Sequence, residues 1–207
     1  AAAAVGAGAG RVELCRDLSC GGLTPRSRDM VLAAKLVEAP LVALVRHRPG
    51  GFVYGAEDRR ALLADLASVK AFRLGGVAVG ALTEDGQVDT ETMEALVAAA
   101  RPMEVVFHRA FDEVAEPLDA LETLVDLGVD RLLTSGGPGD AADHLPALAA
   151  LVEAADGRIT VMPGGGVRPS NAAEITGTIG AREVHSSGGG TVDGFHSLAA
   201  ALGTNRP

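Results

Sequence analysis

The sequence predicts an α/β chain of the TIM-barrel-like (β/α)8 type, and three observations lead there. Short β-branched runs recur along its 207 residues, each followed by a polar or glycine-rich loop and a helical stretch. The runs are spaced close to the roughly 30 residues that a strand, its loops and one helix occupy. Polar residues stand at nearly every run's C-terminal end, not at a single switch point. Strict strand–helix alternation means a parallel sheet with helices outside. A doubly wound dinucleotide fold would place G-x-G-x-x-G after its first strand. This chain has "CRDLSCGG" there. Polar groups at all strand ends suit a barrel, whose loops converge on one face.

In order, the runs are "RVELC" (11–15), "PLVALVRHR" (40–48), "GVAVGAL" (76–82), "MEVVFHRAF" (103–111), "DRLLTSG" (130–136), "RITVMPG" (158–164) and "AREVHSSG" (181–188). Between them, "TETMEALVAAA" and "PLDALETLVDLG" carry the clearest helical period, the second ending in Gly128 as a C-terminal cap. These are seven strands, and a barrel needs eight. "AAAAVGAGAG" reads as the last turns of a helix closing into Gly8 and Gly10, so the first strand is expected upstream of residue 1. The expectation is one domain over 1–207, truncated at its N-terminus and lacking the first barrel strand. Two bare strand edges would then invite pairing with another copy, hence a homo-oligomer.

Composition narrows the function. Hydrophobic residues make up 47% and charged residues 22%, ordinary for a globular chain, and one Tyr and no Trp leave the core to Ala, Val and Leu. A net charge of −9 argues against a general nucleic-acid partner. No apolar run is long enough to span a membrane, and the start has no positively charged segment of a signal peptide. Two cysteines do not make a disulfide framework. A reducing cytoplasm fits them.

Alternation then sorts the strand residues. Glu13 and Cys15 take the face opposite Val12 and Leu14; Arg46 and Arg48 share a face; His108 sits with Val106 and Ala110; Glu183 sits with His185; Thr134 lies near a strand end. Ionisable groups are seldom buried without partners. These residues form either a structural ion-pair network or a pocket at the rim where barrel chemistry gathers. In the pocket reading, Glu13, His108 and His185 are acid/base candidates, and Arg46, Arg48 and Thr134 bind a small anionic or phosphorylated metabolite. "MPGGGV" adds Gly164, Gly165 and Gly166, whose backbone N–H groups can approach an anion. His47, His144 and His196 lack comparable support.

Cys15 and Cys20 are five apart across a strand end and a loop, and thiolates suit Cu(I). The spacing departs from the C-x2-C metal knuckle, so a small interior residue and an incidental loop residue are the plainer alternatives.

The stretches "RVELC", "GGLTP", "VRHRPGGFVY", "GALTEDGQVD", "FHRAFDEV", "ALETLVDLGVDRLLTSG", "GRITVMPGGGV" and "EVHSSG", in this order from about residue 6 to 190, resemble the CutC family. The resemblance implies a TIM-barrel-like fold, a cytoplasmic protein, a role in copper homeostasis and copper bound through cysteine. Cys15 matches the cysteine of the family's "ELC" motif. Cys20 stands where members often have another residue. His47 replaces a common proline, and "HSSGGG" keeps His185 and Ser187 of the family's last loop while dropping its alanine. The resemblance assigns no reaction, so enzyme and copper-binding protein both stand as expectations.

Overall fold

The computed structural model describes residues 1–203. The elements alternate as α1 (Ala2–Gly6), β1 (Val12–Leu14), α2 (Ser27–Leu36), β2 (Leu41–Leu44), α3 (Ala56–Lys70), β3 (Gly76–Val79) and α4 (Thr90–Ala100). They continue as β4 (Glu104–Phe107), α5 (Pro117–Asp126), β5 (Arg131–Thr134), α6 (Leu145–Ala155), β6 (Thr160–Pro163), α7 (Ala172–Ile179) and α8 (Val192–Ala201). The six strands form one parallel sheet in sequence order. The helices form where the sequence marks them. Pro117 opens α5, whose Ala120, Leu121 and Leu124 are buried, and Gly128 follows in the left-handed region at φ 72°. Asp89 caps α4 by accepting from the Thr92 N–H at 3.0 Å.

The two faces of the sheet differ. One carries Ala43, Val45, Val77, Val79, Val105, Phe107, Leu132 and Val161 into a large core shared with the helices. The other carries Val42, Leu44, Ala78, Val106, Leu133 and Met162 into a small inner cluster, with Cys15 packed against it. This two-residue alternation gives the sheet an inner face with the smaller of the two clusters and an outer face packed on the helices.

"AREVHSSG" is not a seventh strand. It runs beside β6 and is joined there by one ladder bond, His185 N–H to the Pro163 carbonyl at 2.9 Å. The neighbouring bonds fail for stated reasons. Pro163 has no N–H to give to the preceding carbonyl, that of Glu183, and Gly165, at φ 94°, has already turned out of the strand.

Charged residues close the N-terminal end of the curl. Arg11 Nη1 donates to Glu183 Oε2 at 2.9 Å, Arg131 Nε reaches the same oxygen at 3.1 Å, and Arg131 Nη1 pairs with Glu104 at 2.8 Å. Glu183 therefore lies in this cluster and not at the rim with His185. Burial would raise its pKa, but bonds from Arg131 and Arg11 outweigh it and the net direction is down. Removing Glu183 leaves Arg11 and Arg131 with Glu104 alone. Its side chain is 33% exposed, so solvent screens part of the loss. Glu183→Ala is expected to lower stability by about 1–2 kcal/mol in urea unfolding. An unchanged midpoint would show the cluster to be decorative.

Candidate functional site

The C-terminal ends of the strands surround a cavity of about 950 Å3. Its wall takes residues that follow β1, β2, β4, β5 and β6 and the stretch 185–189. That size suits a small organic molecule.

Glu13 enters from β1 and Cys15 from just beyond it, on the inner face that alternation gives them. No hydrogen bond or ion pair within the described residues holds the Glu13 carboxyl. Burial raises its pKa, and His185 in electrostatic reach opposes the rise. Burial, then the Glu13 charge, pushes the Cys15 thiol up to about 11. Cys20 lies in the 3-10 turn Leu18–Cys20, with its Sγ 3.1 Å from the Asp17 carbonyl oxygen.

Arg46 is 5% exposed. Its Nη1 donates to the carbonyls of Cys20 (2.8 Å) and Gly22 (3.0 Å), and its Nη2 to that of Gly50 (2.5 Å). The guanidinium stands over the Phe52 ring at 5.1 Å. Among the described residues no carboxylate lies within ion-pairing distance of it, and its Nε has no partner. A buried cation answered by carbonyl dipoles, the Phe52 ring and the nearby Tyr54 side chain, with no carboxylate, leaves positive charge at the cavity.

His108 is 6% exposed and follows β4 directly. Its Nδ1 accepts the Ala110 N–H at 3.2 Å, and among the described residues its Nε2 has no partner. A nitrogen that accepts carries no proton, so the neutral ring holds its proton on Nε2. Burial, then the Arg46 charge, pushes its pKa down to about 3. The ring sits 5.0 Å from that of Phe52. Gly80 makes room, because a Cβ there would lie 2.5 Å from His108 Cε1. His108 is thus placed to donate a hydrogen bond from Nε2, with its Nδ1 lone pair already taken by the Ala110 N–H.

The loop after β6 supplies Gly165 and Gly166, both at positive φ and both on the cavity wall. Among the described residues their N–H groups donate to nothing in the chain. Gly164 is not on the wall; its Cα packs against Leu133.

Two more expected ligand-binding residues, besides Gly164, are elsewhere. Arg48 grips Asp58 with Nε at 3.0 Å and Nη2 at 2.9 Å, and His47 Nε2 contacts the same carboxylate at 2.8 Å. The Arg48 bonds hold Asp58 well below the usual carboxylate range. β2 ends at Leu44, so period-2 alternation does not carry Arg48 inward with Arg46. Thr134 faces away from the inner cluster, opposite its neighbour Leu133. It is fully buried, donating to Asp112 Oδ1 at 2.6 Å and accepting the Gly136 N–H at 2.9 Å.

Asp112 and Arg109 escaped the sequence reading. Asp112 accepts from Thr134 Oγ1, from Ser135 N–H at 2.8 Å, from Ser135 Oγ at 2.7 Å and from Arg109 Nε at 2.6 Å. Strand alternation put Arg109 outside. The chain instead turns into a 3-10 helix over Arg109–Glu113, and both residues reach the cavity wall. The signal was the acidic residue three after Arg109 in "FHRAFD", a spacing that brings side chains together on one helical turn.

The copper expectation meets a mixed geometry. Both thiols are free and line one cavity. Among the described residues no group of three or more His, Cys, Asp and Glu side chains is placed to hold a metal ion.

Comparison with known proteins agrees with the order of these motifs. The family model described as CutC family matches residues 1–190. The chain belongs to the CutC family. The copper homeostasis protein cutC homolog of Homo sapiens is 42% identical over 201 residues, covering 96% of this chain and 74% of its own. A family protein CutC of Caulobacter vibrioides is 45% identical over 193 residues, covering 93% and 78%. A solved CutC structure from Streptococcus agalactiae superposes with a TM-score of 0.81 at 31% identity, covering 84% of this chain and 87% of that one. The chain is thus a CutC-family protein with an α/β fold of six parallel strands, and relatives of it carry names that refer to copper homeostasis.

The buried neutral His108 makes stability depend on pH. Its folded pKa of about 3 lies below its ordinary 6.5, so the unfolded chain binds the proton first. The contribution is whole above pH 6.5 and is lost as pH falls toward 3. The loss approaches about 1.4 kcal/mol per pH unit within that window. In thermal melts between pH 7.5 and 4, His108→Gln is expected to lose stability less steeply than the unaltered chain. Parallel curves would contradict a buried neutral imidazole.

Proposed function

We propose that the rim cavity is a binding and reaction site for a small organic anion. The observation that carries this reading is Arg46, a buried guanidinium with no carboxylate partner among the described residues. An anionic ligand would supply the missing countercharge. The free N–H groups of Gly165 and Gly166 would add backbone donors, and Glu13 and His185 would be in place to move protons. The wider expectation of a (β/α)8 barrel belongs to the same proposal. The Arg11–Glu183 bond supports it by linking residues at opposite margins of the curled sheet.

Inorganic phosphate titrated by calorimetry tests the site. The chain is expected to bind it, and Arg46→Met to weaken binding at least tenfold, with Arg46→Lys in between. Circular dichroism checks that each variant folds, since Arg46 also holds two loops. Binding indifferent to Arg46 in folded variants would sink the reading.

A second reading is favoured by the two free thiols on one wall and by the name its relatives carry. Here Cys15 and Cys20 bind Cu(I) as the cargo of copper handling in the cytoplasm, a compartment that keeps thiols reduced. Cys15 stands next to a strand and Cys20 in a turn, so Cys15→Ser is expected to cost more affinity than Cys20→Ser. With the Cys15 thiol at about 11, uptake must displace a proton, and affinity should rise with pH. Competition titrations against a Cu(I) chelator at pH 6 and 8 would show this. Equal losses from the two variants, or none, would contradict it.

A further inference from the structure

Two unpartnered donors belong to adjoining parts of the cavity wall. Among the described residues, His108 Nε2–H and Arg46 Nε are buried without acceptors, and one ring, Phe52, contacts both side chains at 5.0 and 5.1 Å. Neither arrangement is loose. The Ala110 N–H fixes which histidine nitrogen donates, Gly80 admits the ring, and three carbonyls fix the guanidinium. We infer that His108 and Arg46 form a donor pair for an oxyanion that develops on the ligand, and that the reaction is proton abstraction from a carbon next to a carbonyl group.

The inference rests on the anion-site reading and names its chemistry. A neutral imidazole donates a hydrogen bond to an enolate oxygen without first giving up charge, which suits an electrophile rather than a base. Arg46 beside it supplies fixed positive charge. Glu13, from another strand and free of any bond within the described residues, takes the proton. The step balances. The C–H bond breaks, and its electron pair becomes the carbon–carbon double bond. The carbonyl π pair moves onto oxygen, where His108 and Arg46 hold it, and the proton passes to the Glu13 carboxylate. Return of that proton to the enolate oxygen completes a keto–enol tautomerisation, and its return to the opposite face of the same carbon completes an epimerisation, in either case without a co-reactant.

Oxalate is the probe, a planar dianion that resembles the enolate of a 2-oxo acid. Nitrogen-15 NMR of the imidazole in the unaltered chain is expected to show the proton on Nε2 from pH 5 to 8, and oxalate is expected to shift that Nε2–H signal. By calorimetry, His108→Leu should weaken oxalate about 10- to 100-fold, the worth of one hydrogen bond to a charged group. His108→Gln, which restores a donor near Nε2, should recover most of it. A ring that titrates between pH 5 and 8, or that carries its proton on Nδ1, overturns the inference. So does oxalate affinity unmoved by His108→Leu. If phosphate binds through Arg46 while oxalate leaves the Nε2–H signal in place, the oxyanion pair falls and the anion site stands. If neither anion binds in an Arg46-dependent way, both fall.

Discussion

The cavity end of the molecule is organised around the guanidinium of Arg46. Three carbonyls from two loops converge on it, from Cys20 and Gly22 on one side and Gly50 on the other. Those bonds seat the turn that carries Cys20 and the loop that carries Phe52. Phe52 in turn lies against His108. The charge itself depresses the basicity of His108, after burial has done most of the work. One cation therefore sets loop position, ring position and protonation state together. A neutral residue of the same length could fill the space but would leave three carbonyls without donors.

The two ends of the inner face treat charge in opposite ways. At the N-terminal end Arg11, Glu104, Arg131 and Glu183 are mutually paired. At the C-terminal end, among the described residues, Arg46 lacks a carboxylate and the Glu13 carboxyl lacks any hydrogen bond, and His108 is held neutral. Paired charges brace a structure. Unpaired polar groups around an open volume raise its energy. The contrast separates a layer of mutually paired charges from the unpaired groups that line the cavity.

Much of this was legible in the sequence because period-2 alternation is reliable wherever a strand persists. It placed Glu13 and Cys15 on the inner face from "RVELC", and His108 from "VVFH". It failed where the strand had already ended. β2 stops at Leu44, so Arg46 reaches the cavity through a loop while Arg48 turns to Asp58. Arg109 came inward because a 3-10 turn follows Phe107. Thr134 was placed by nearness to a strand end, and its face follows instead from Leu133 pointing in. The seventh run carried the composition of a strand, but pairing depends on the partner. Pro163 and the turn at Gly165 decide that, and neither lies in the run itself. The tautomer of His108 was out of reach, since it depends on one N–H two residues on.

Gly80 carries a consequence for reading related chains. It opens the run "GALTEDG", and the space it leaves is filled by an imidazole from the next strand. Positions 80 and 108 are thus a single choice written in two places. A chain with a side chain at the first has no room for histidine at the second, and a chain that has lost the histidine is free to fill the gap. Two sequence blocks nearly 30 residues apart should therefore vary as one unit, and a relative in which they disagree has rebuilt this wall of the cavity.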